Sequence, residues 1–420
     1  MRSHKMAMKF AEELAIVPEI MASRASCSGN MPERKRVNRR RLVLLCALAS
    51  MAGFGWYYGF PLWEKRRQES YFANCSRAQQ LGDWDELQRL SVQWTRWRPE
   101  AADGWIFQAD AAQNKGDFAS AVECLSSVPE SSPKAFPAYI ALATLQFGPA
   151  TQPLDGVRTS ERLLELDPRT TAAHRQLIEF YAMTLQREKL INQIRQAIDL
   201  SREPRSAYVY LFLVDTMRLA DAVETNDNWL KAHPDTEVFL VARALQLPEP
   251  APNVESTMGN KHEVIAKLFE RFSNNVELLG YQVDLAIRQG NTSEVARLLL
   301  GAPSSVEKDS RFWRAKGWLH LSRAELSAAE QALQQALELH PLDLLARTWL
   351  TDLTRRQGDL ENAQRLEALV RQARRLRERC TGDQSAENIA QEVLAELADY
   401  ARLCGDKQMA DALTRRLSDR

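Results

Sequence analysis

A spacing of 34 residues recurs along this chain and restricts its fold more than any other feature. Gly82 and Gly116 are 34 apart, as are Pro99 and Pro133, Ala324 and Gly358, Leu326 and Leu360, and Ala329 and Ala363. Small residues at fixed offsets, with proline closing each unit, form the pattern of stacked helix–turn–helix repeats. One helix pair cannot bury its apolar face alone, so successive pairs must stack. Such a stack presents an extended concave surface and no built-in catalytic pocket.

Composition fits a folded chain. Of 420 residues, 45% are hydrophobic and 26% charged, enough to bury a core. The 55 basic and 55 acidic residues cancel, so no global field draws nucleic acid, and none is expected as a partner. Charge is uneven locally: Arg and Lys crowd residues 34–41, and Arg371, Arg374, Arg375, Arg377 and Arg379 form a second run. That second run reads first as a charged helix face. The cysteines, at Cys27, Cys46, Cys75, Cys124, Cys380 and Cys404, include no C-x-x-C pair, so neither zinc nor a redox motif is indicated. Buried free thiols are the default, with Cys380 and Cys404 the pair to test for a bond.

Residues Leu42–Trp63 carry no charged side chain. As a helix these 22 residues reach roughly 33 Å, enough to cross the hydrocarbon core. Trp56, Tyr57, Tyr58 and Trp63 gather at the far end, where aromatic rings suit the headgroup region. Six basic residues precede the stretch (Arg34, Lys35, Arg36, Arg39, Arg40, Arg41) and three follow it (Lys65, Arg66, Arg67). That asymmetry places the N-terminus in the cytoplasm and the bulk of the chain across the membrane. The rival reading is a cleaved signal peptide, which the bulky aromatics after Ala49 argue against. The expected organisation is a basic segment 1–41, a transmembrane helix 42–63, a short linker 64–70, a helical array 71–376 and a C-terminal helical cap 377–420.

Within 71–376 the offsets agree best near the two ends. Trp105-x3-Ala109-x2-Ala112 leads to Gly116-Asp117-Phe118, Ala121-x3-Leu125 and Pro133. Trp313-x3-Gly317 leads to Leu326, Ala329-x3-Leu333-x2-Ala336 and Pro341, and a further copy runs through Trp349, Gly358-Asp359-Leu360 and Ala363. This resembles the tetratricopeptide repeat family, which implies an all-α solenoid of helix hairpins. Gly317, Ala121 and Ala329 would let antiparallel helices approach, while Trp105, Phe118, Trp313 and Leu333 fill the gaps between pairs. Residues 136–168 fit with one extra residue, and 171–204 keep helical periodicity without a glycine turn. Segments 206–234 and 237–275 depart further, and Leu247–Glu255, with three prolines, reads as a loop insertion. The sequence supports seven to nine helix pairs, then a terminal pair around 386–418 that caps the stack.

No catalytic constellation emerges. The six histidines include no H-E-x-x-H, and no phosphate loop, nucleophile elbow or dinucleotide glycine run is present. No metal or cofactor is expected. The resemblance implies instead that the first helix of each pair lines the concave groove. On that carry-over Arg311, Arg314, Trp318, Asp352, Arg355 and Arg356 make a cationic pocket with one aromatic wall, suited to a carboxylate or acidic peptide. Solvated helix-face charges are the alternative. Phe72, Ile106, Asp110 and Ile140 give the N-terminal units a more apolar lining. Trp318 and Asp352 stand where the family's carboxylate clamp wants Asn, which argues against binding of chaperone tails by that mechanism.

The expectation is therefore a single-pass, membrane-anchored, non-catalytic scaffold binding protein partners, periplasmic if bacterial, in envelope assembly, secretion or maturation machinery. The alternatives are the same array on the cytoplasmic side, or an enzyme with a catalytic insertion in 206–303.

Overall fold

The computed structural model describes residues 39–219, 221–248, 261–381 and 386–418, with side chains from Gly59 onward. Among the described residues there are twenty α-helices and no strand. The chain divides into two compact units, residues 1–70 and 71–420.

The first unit contains most of α1 (Arg39–Leu81), with Pro61 inside the helix. Residues 64–70, expected as a linker, continue this helix, as a segment without glycine or proline can. Trp63 lies 5.8 Å from the Phe60 ring, and the Arg67 guanidinium sits 5.2 Å above it. Among the described residues no helix is long and apolar enough to cross a membrane. The expected span Leu42–Trp63 falls, through residue 58, on side chains outside the described set, and the basic segment before residue 39 lies outside it altogether.

In the second unit the helices alternate as first and second members of hairpins. They are α2 (Trp84–Trp97), α3 (Ala102–Asn114), α4 (Phe118–Ser126), α5 (Ala135–Phe147), α6 (Pro153–Leu166), α7 (Thr171–Met183) and α8 (Arg187–Asp199). The middle holds α9 (Arg205–Leu213), α10 (Ala222–Ala232), α11 (Glu237–Gln246) and α12 (Lys261–Arg271). Then come α13 (Val276–Arg288), α14 (Thr292–Leu300), α15 (Ser310–Ser322), α16 (Leu326–Leu339), α17 (Leu344–Arg356) and α18 (Leu360–Cys380). The chain closes with α19 (Gln391–Cys404) and α20 (Lys407–Ser418). Taking the end of α1 with α2 as the first, the described residues form nine pairs before the terminal pair, against the seven to nine expected. The expected insertion at Leu247–Glu255 lies, from residue 249, outside the described residues.

Each regular hairpin is built by two adjacent residues with separate tasks. Gly82, Gly116, Gly290 and Gly358 take left-handed φ of 69°, 78°, 68° and 85°, which ends the first helix without a Cβ clash. The next residue, Asp83, Asp117, Asn291 or Asp359, caps the second helix by accepting a backbone N–H three residues on. Where glycine is missing the same turn is made at Thr151 (φ 51°), Leu185 (φ 51°) and Ala324 (φ 59°). Leu185 follows Thr151 by 34 residues and Thr151 follows Gly116 by 35, so the backbone keeps a register that the residue types hide.

A second device closes the turn between pairs. The Trp105 indole N–H donates to Pro99 O at 2.7 Å and that of Trp313 to Glu307 O at 2.8 Å; His174 Nε2 meets Pro168 O at 2.8 Å. Arg347 does the same to Pro341 O. Each side chain thus satisfies a carbonyl six residues earlier that no helix pairs. Close approach within a pair is clearest at Gly317, where an added Cβ would stand 2.6 Å from Leu333 Cγ.

Among the described residues the largest apolar cluster joins Leu177–Phe239 to Ala373–Leu413, so packing is not confined to successive pairs. The terminal pair α19–α20 does not merely cover the end of the array but reaches back to its middle. Arg195 grips Asp406 through two hydrogen bonds of 2.7 and 2.5 Å, Gln408 Nε2 donates to Asp199 Oδ1 at 2.6 Å, and Ser206 Oγ to Glu387 at 2.8 Å. The boundary at 376 also falls inside α18, whose buried Ala363, Leu366, Val370, Ala373, Leu376 and Cys380 form one unbroken stripe. The Arg run 371–379 occupies the opposite, exposed face of that helix. Cys380 and Cys404 are free thiols, and burial pushes Cys380 up to about 11.

Candidate functional site

The first helices of the later pairs bring their N-termini to one place, because their capping residues repeat every 34 positions. Asn275, Asp309 and Asp343 cap α13, α15 and α17. Two of these caps also bind arginines. Arg187, at the first position of α8, donates from Nε to Asp215 Oδ1 at 2.6 Å, from Nη1 to Asp309 Oδ1 at 3.1 Å and from Nη2 to Ser310 Oγ at 2.8 Å. Arg311 holds Asp309 Oδ2 at 2.6 Å and Glu277 Oε2 at 2.8 Å. Arg314 holds Asp215 Oδ2 at 2.5 Å and Asp343 Oδ2 at 3.1 Å, with Asp284 at 3.4 Å. Ser310 Oγ donates to Asp343 Oδ2 at 3.1 Å, completing the network.

The network is nearly dry. Arg314 is 1% exposed, Arg187 5% and Asp343 1%. Burial alone would raise the Asp309 carboxyl, yet Arg311 and Arg187 outweigh it and hold it at about 2. Asp215 is held well below the usual range, against burial, by Arg187 and Arg314. At Glu277 burial wins over Arg311, and the neighbouring Asp309 adds to it, so that carboxyl is raised. Burial pushes His340 down to about 4, with Arg187 adding to it against Asp215 and Asp343. The carboxylates overcome burial at Arg311 and Arg314, which stay charged.

Above this network lies a cleft of about 320 Å³. One face of α13 forms its wall through Glu277, Gly280, Tyr281, Asp284 and Arg288, the spacing of a single helix side. The chain after α9 (Val214–Arg218) and Lys261 face it. Six cations line the cleft (Arg187, Arg218, Lys261, Arg288, Arg311, Arg377) against three carboxylates (Asp215, Glu277, Asp284), and with Asp309, which pairs with Arg187 and Arg311 beneath the lining, the cationic excess is two. Tyr281 is its aromatic wall: Lys261 Nζ lies 5.4 Å and the Arg288 guanidinium 5.8 Å from the ring centre. The Tyr281 hydroxyl bonds His262 Nδ1 at 2.6 Å. Among the described residues no group of three or more His, Cys, Asp or Glu is placed to hold a metal ion.

The residues nominated from sequence do not make one pocket. Of Arg311, Arg314, Trp318, Asp352, Arg355 and Arg356, only Arg311 lines the cleft. The expectation of open cations fails at Arg311 and Arg314, because the chain's own carboxylates already occupy both guanidinium groups. Trp318 is half-buried against the Leu279–Leu319 cluster, so Tyr281 supplies the aromatic surface. Arg356 pairs with Asp352 at 2.7 Å and Arg355 with Glu367 at 3.3 Å, all on solvated faces. In the N-terminal units Phe72, 44% exposed, meets Phe107 edge-on at 5.6 Å, and Ile106 packs on the Ala102–Leu145 cluster. Asp110 accepts from Gln79 at 2.8 Å and Ile140 is half-buried.

Sequence reading missed Arg187, Asp215, Lys261, Tyr281 and Arg288, which fall in or beside the irregular middle. One signal was available. Glu277 and Arg311 carry opposite charges at a spacing of 34, so they are neighbours on successive first helices. Gly280 and Arg314 share that spacing, and a Cβ on Gly280 would sit 3.0 Å from Arg311 Nη1.

No family model and no curated protein matches the chain. Among solved structures it is similar to a tetratricopeptide repeat protein from Parabacteroides merdae, with 15% identity over 60% of this chain and 98% of that one, at a TM-score of 0.28. Yeast Tom70 is similar at 13% identity, 83% and 84% coverage and a TM-score of 0.26. Human IFIT1 with m7Gppp-AAAA is similar at 12% identity, 83% and 74% coverage and a TM-score of 0.30. Scores this low carry no argument about how the pairs are arranged. What the hairpins themselves show, with their left-handed turn, capped second helix and small-residue crossing at a 34-residue period, is a tetratricopeptide-like all-α repeat protein.

Proposed function

We propose that this protein is a non-catalytic interaction scaffold whose cleft on α13 takes an acidic segment of a protein partner. The excess of cations lining that cleft, beside the half-buried Tyr281 ring, is the observation that carries the reading. The buried arginines beneath it orient the wall. Recognition falls to Arg288 and Arg377, which are exposed, beside the half-buried Tyr281 ring, against which Lys261 is buried. Fluorescence anisotropy with a labelled acidic heptapeptide tests this. Arg288→Glu/Arg377→Glu should weaken binding at least about tenfold, and added salt should do the same to the parent. Equal binding by parent and variant removes the assignment.

The uncharged stretch Leu42–Trp63 further supports an uncleaved anchor, with six basic residues before it and three after it favouring a cytoplasmic N-terminus. The second unit then works beyond the membrane, in envelope assembly, secretion or maturation machinery if the source is bacterial. Protease added to intact spheroplasts should digest the C-terminal unit; its protection puts the array on the cytoplasmic side instead.

A further inference from the structure

We infer that a second site, at the junction of the middle and the terminal pair, binds a small organic dianion that also carries a hydroxyl or amino group. The site is a cavity of about 440 Å³ between the turn joining α8 to α9 and the α19–α20 pair, lined chiefly by Ser201, Glu203, Arg205, Leu394, Arg415 and Arg416. It shares no lining residue with the cleft on α13. Its volume is enough to take a small molecule.

The charges set the first half of the ligand's chemistry. Three guanidinium groups face one carboxylate, so a doubly charged anion balances the cavity. Arg205 and Arg416 are held in place: Arg205 Nη2 donates to Ile389 O at 2.7 Å, and Arg416 Nη1 to Glu203 O at 2.9 Å. The buried Nε of Arg205 has no acceptor among the described residues. Arg415 stands exposed at the rim.

Glu203 sets the second half. It is only 9% exposed, and its Oε1 accepts from the Tyr208 hydroxyl at 2.5 Å. Its buried Oε2 has no hydrogen-bond partner among the described residues, and the nearest cation, Arg416 Nη1, lies 3.7 Å from Oε1. A buried carboxylate oxygen without a donor is costly. A bare anion would be repelled there, whereas a hydroxyl or ammonium beside the anionic groups would satisfy it. Leu394 and Leu417 complete an apolar floor for the carbon skeleton.

Isothermal titration calorimetry on the full chain in detergent decides the matter, with four probes: malate, succinate, glycerol 3-phosphate and propyl phosphate. The hydroxylated member of each pair should bind about tenfold tighter than its plain counterpart, the value of one hydrogen bond to a buried charge. The stronger pair shows whether carboxylate or phosphate is preferred. Arg415→Glu, at an exposed position, should weaken the better ligand about tenfold while leaving the melting temperature unchanged. Glu203→Gln should erase the hydroxyl preference. Because that variant could also loosen Tyr208, Arg415→Lys serves as a second check by restoring part of the affinity. Equal affinity for hydroxylated and plain dianions, indifference to Arg415→Glu, or no heat at millimolar ligand would each overturn the proposal.

Discussion

Residues 276–356 and residues 205–246 are both made of short helices, yet different forces hold them. In the first region each hairpin closes on itself: Gly290 or Ala324 turns the chain left-handed, Asn291 caps the return helix, and Gly317 lets Leu333 into the crossing. In the second, α9 packs on α8 and on the turn Ala386–Asn388, not chiefly on the helix that follows it. Its order comes from partners far along the chain, Arg187 and Arg314 on Asp215 and the terminal pair on α8 and α9. Regular repeats are stable by local rule; an irregular one is stable only when the rest of the array is in place.

The largest expected effect lies in the buried network. Arg314→Leu leaves Asp215 and Asp343 short of a partner and should lower unfolding free energy by about 3–5 kcal/mol. Hydrogen exchange should show amides of 205–232 released before those of 326–356. Simultaneous release would erase the distinction between the regions.

Next comes pH. His340 is held at about 4 when folded, below the usual value of about 6.5 for free histidine. The unfolded chain therefore binds one more proton between those values. Stability on this account is complete above about pH 6.5 and is lost as pH falls towards 4, by a few kcal/mol in all. Denaturant melts of His340→Gln should show a pH slope shallower by about one proton in that window. An unchanged slope assigns the acid sensitivity elsewhere, with buried His174, also lowered by burial, the first alternative.

Within the regular region, Gly317→Ala should cost about 1–3 kcal/mol by overpacking against Leu333. It should leave exchange in 205–232 nearly unmoved, which sharpens the contrast. The smallest effect has the opposite sign: Ala324 adopts φ 59°, and Ala324→Gly should raise stability by about 0.5 kcal/mol as relief of strain slightly exceeds the added chain entropy. A loss of stability there would mean the Ala324 methyl packs better than its backbone strain costs.

Much of the fold was legible because the repeat rule is local. Gly82-Asp83, Gly116-Asp117 and Gly358-Asp359 announce turn and cap together, and Trp105 and Trp313 mark the first helices. Thr151 and Leu185 hid the same turn, since any residue can be forced left-handed when packing on both sides fixes it. Arg311 and Arg314 read as open cations of a groove, and no feature of their own helix revealed the carboxylates that hold them. Asp215 lies 99 residues from Arg314, and Asp309 lies 122 from Arg187.

The sequence by itself determined that this chain makes helix hairpins at a 34-residue period, because helix ends, caps and small-residue crossings depend on neighbours a few positions away. Only the tertiary structure decided that the terminal pair folds back on the middle, and that Arg187 and Arg311 are neutralised where they line the cleft while Arg288 and Arg377 stand exposed. A charge is open or satisfied according to the groups within hydrogen-bond reach, and for Arg187 and Arg314 those groups come from other hairpins.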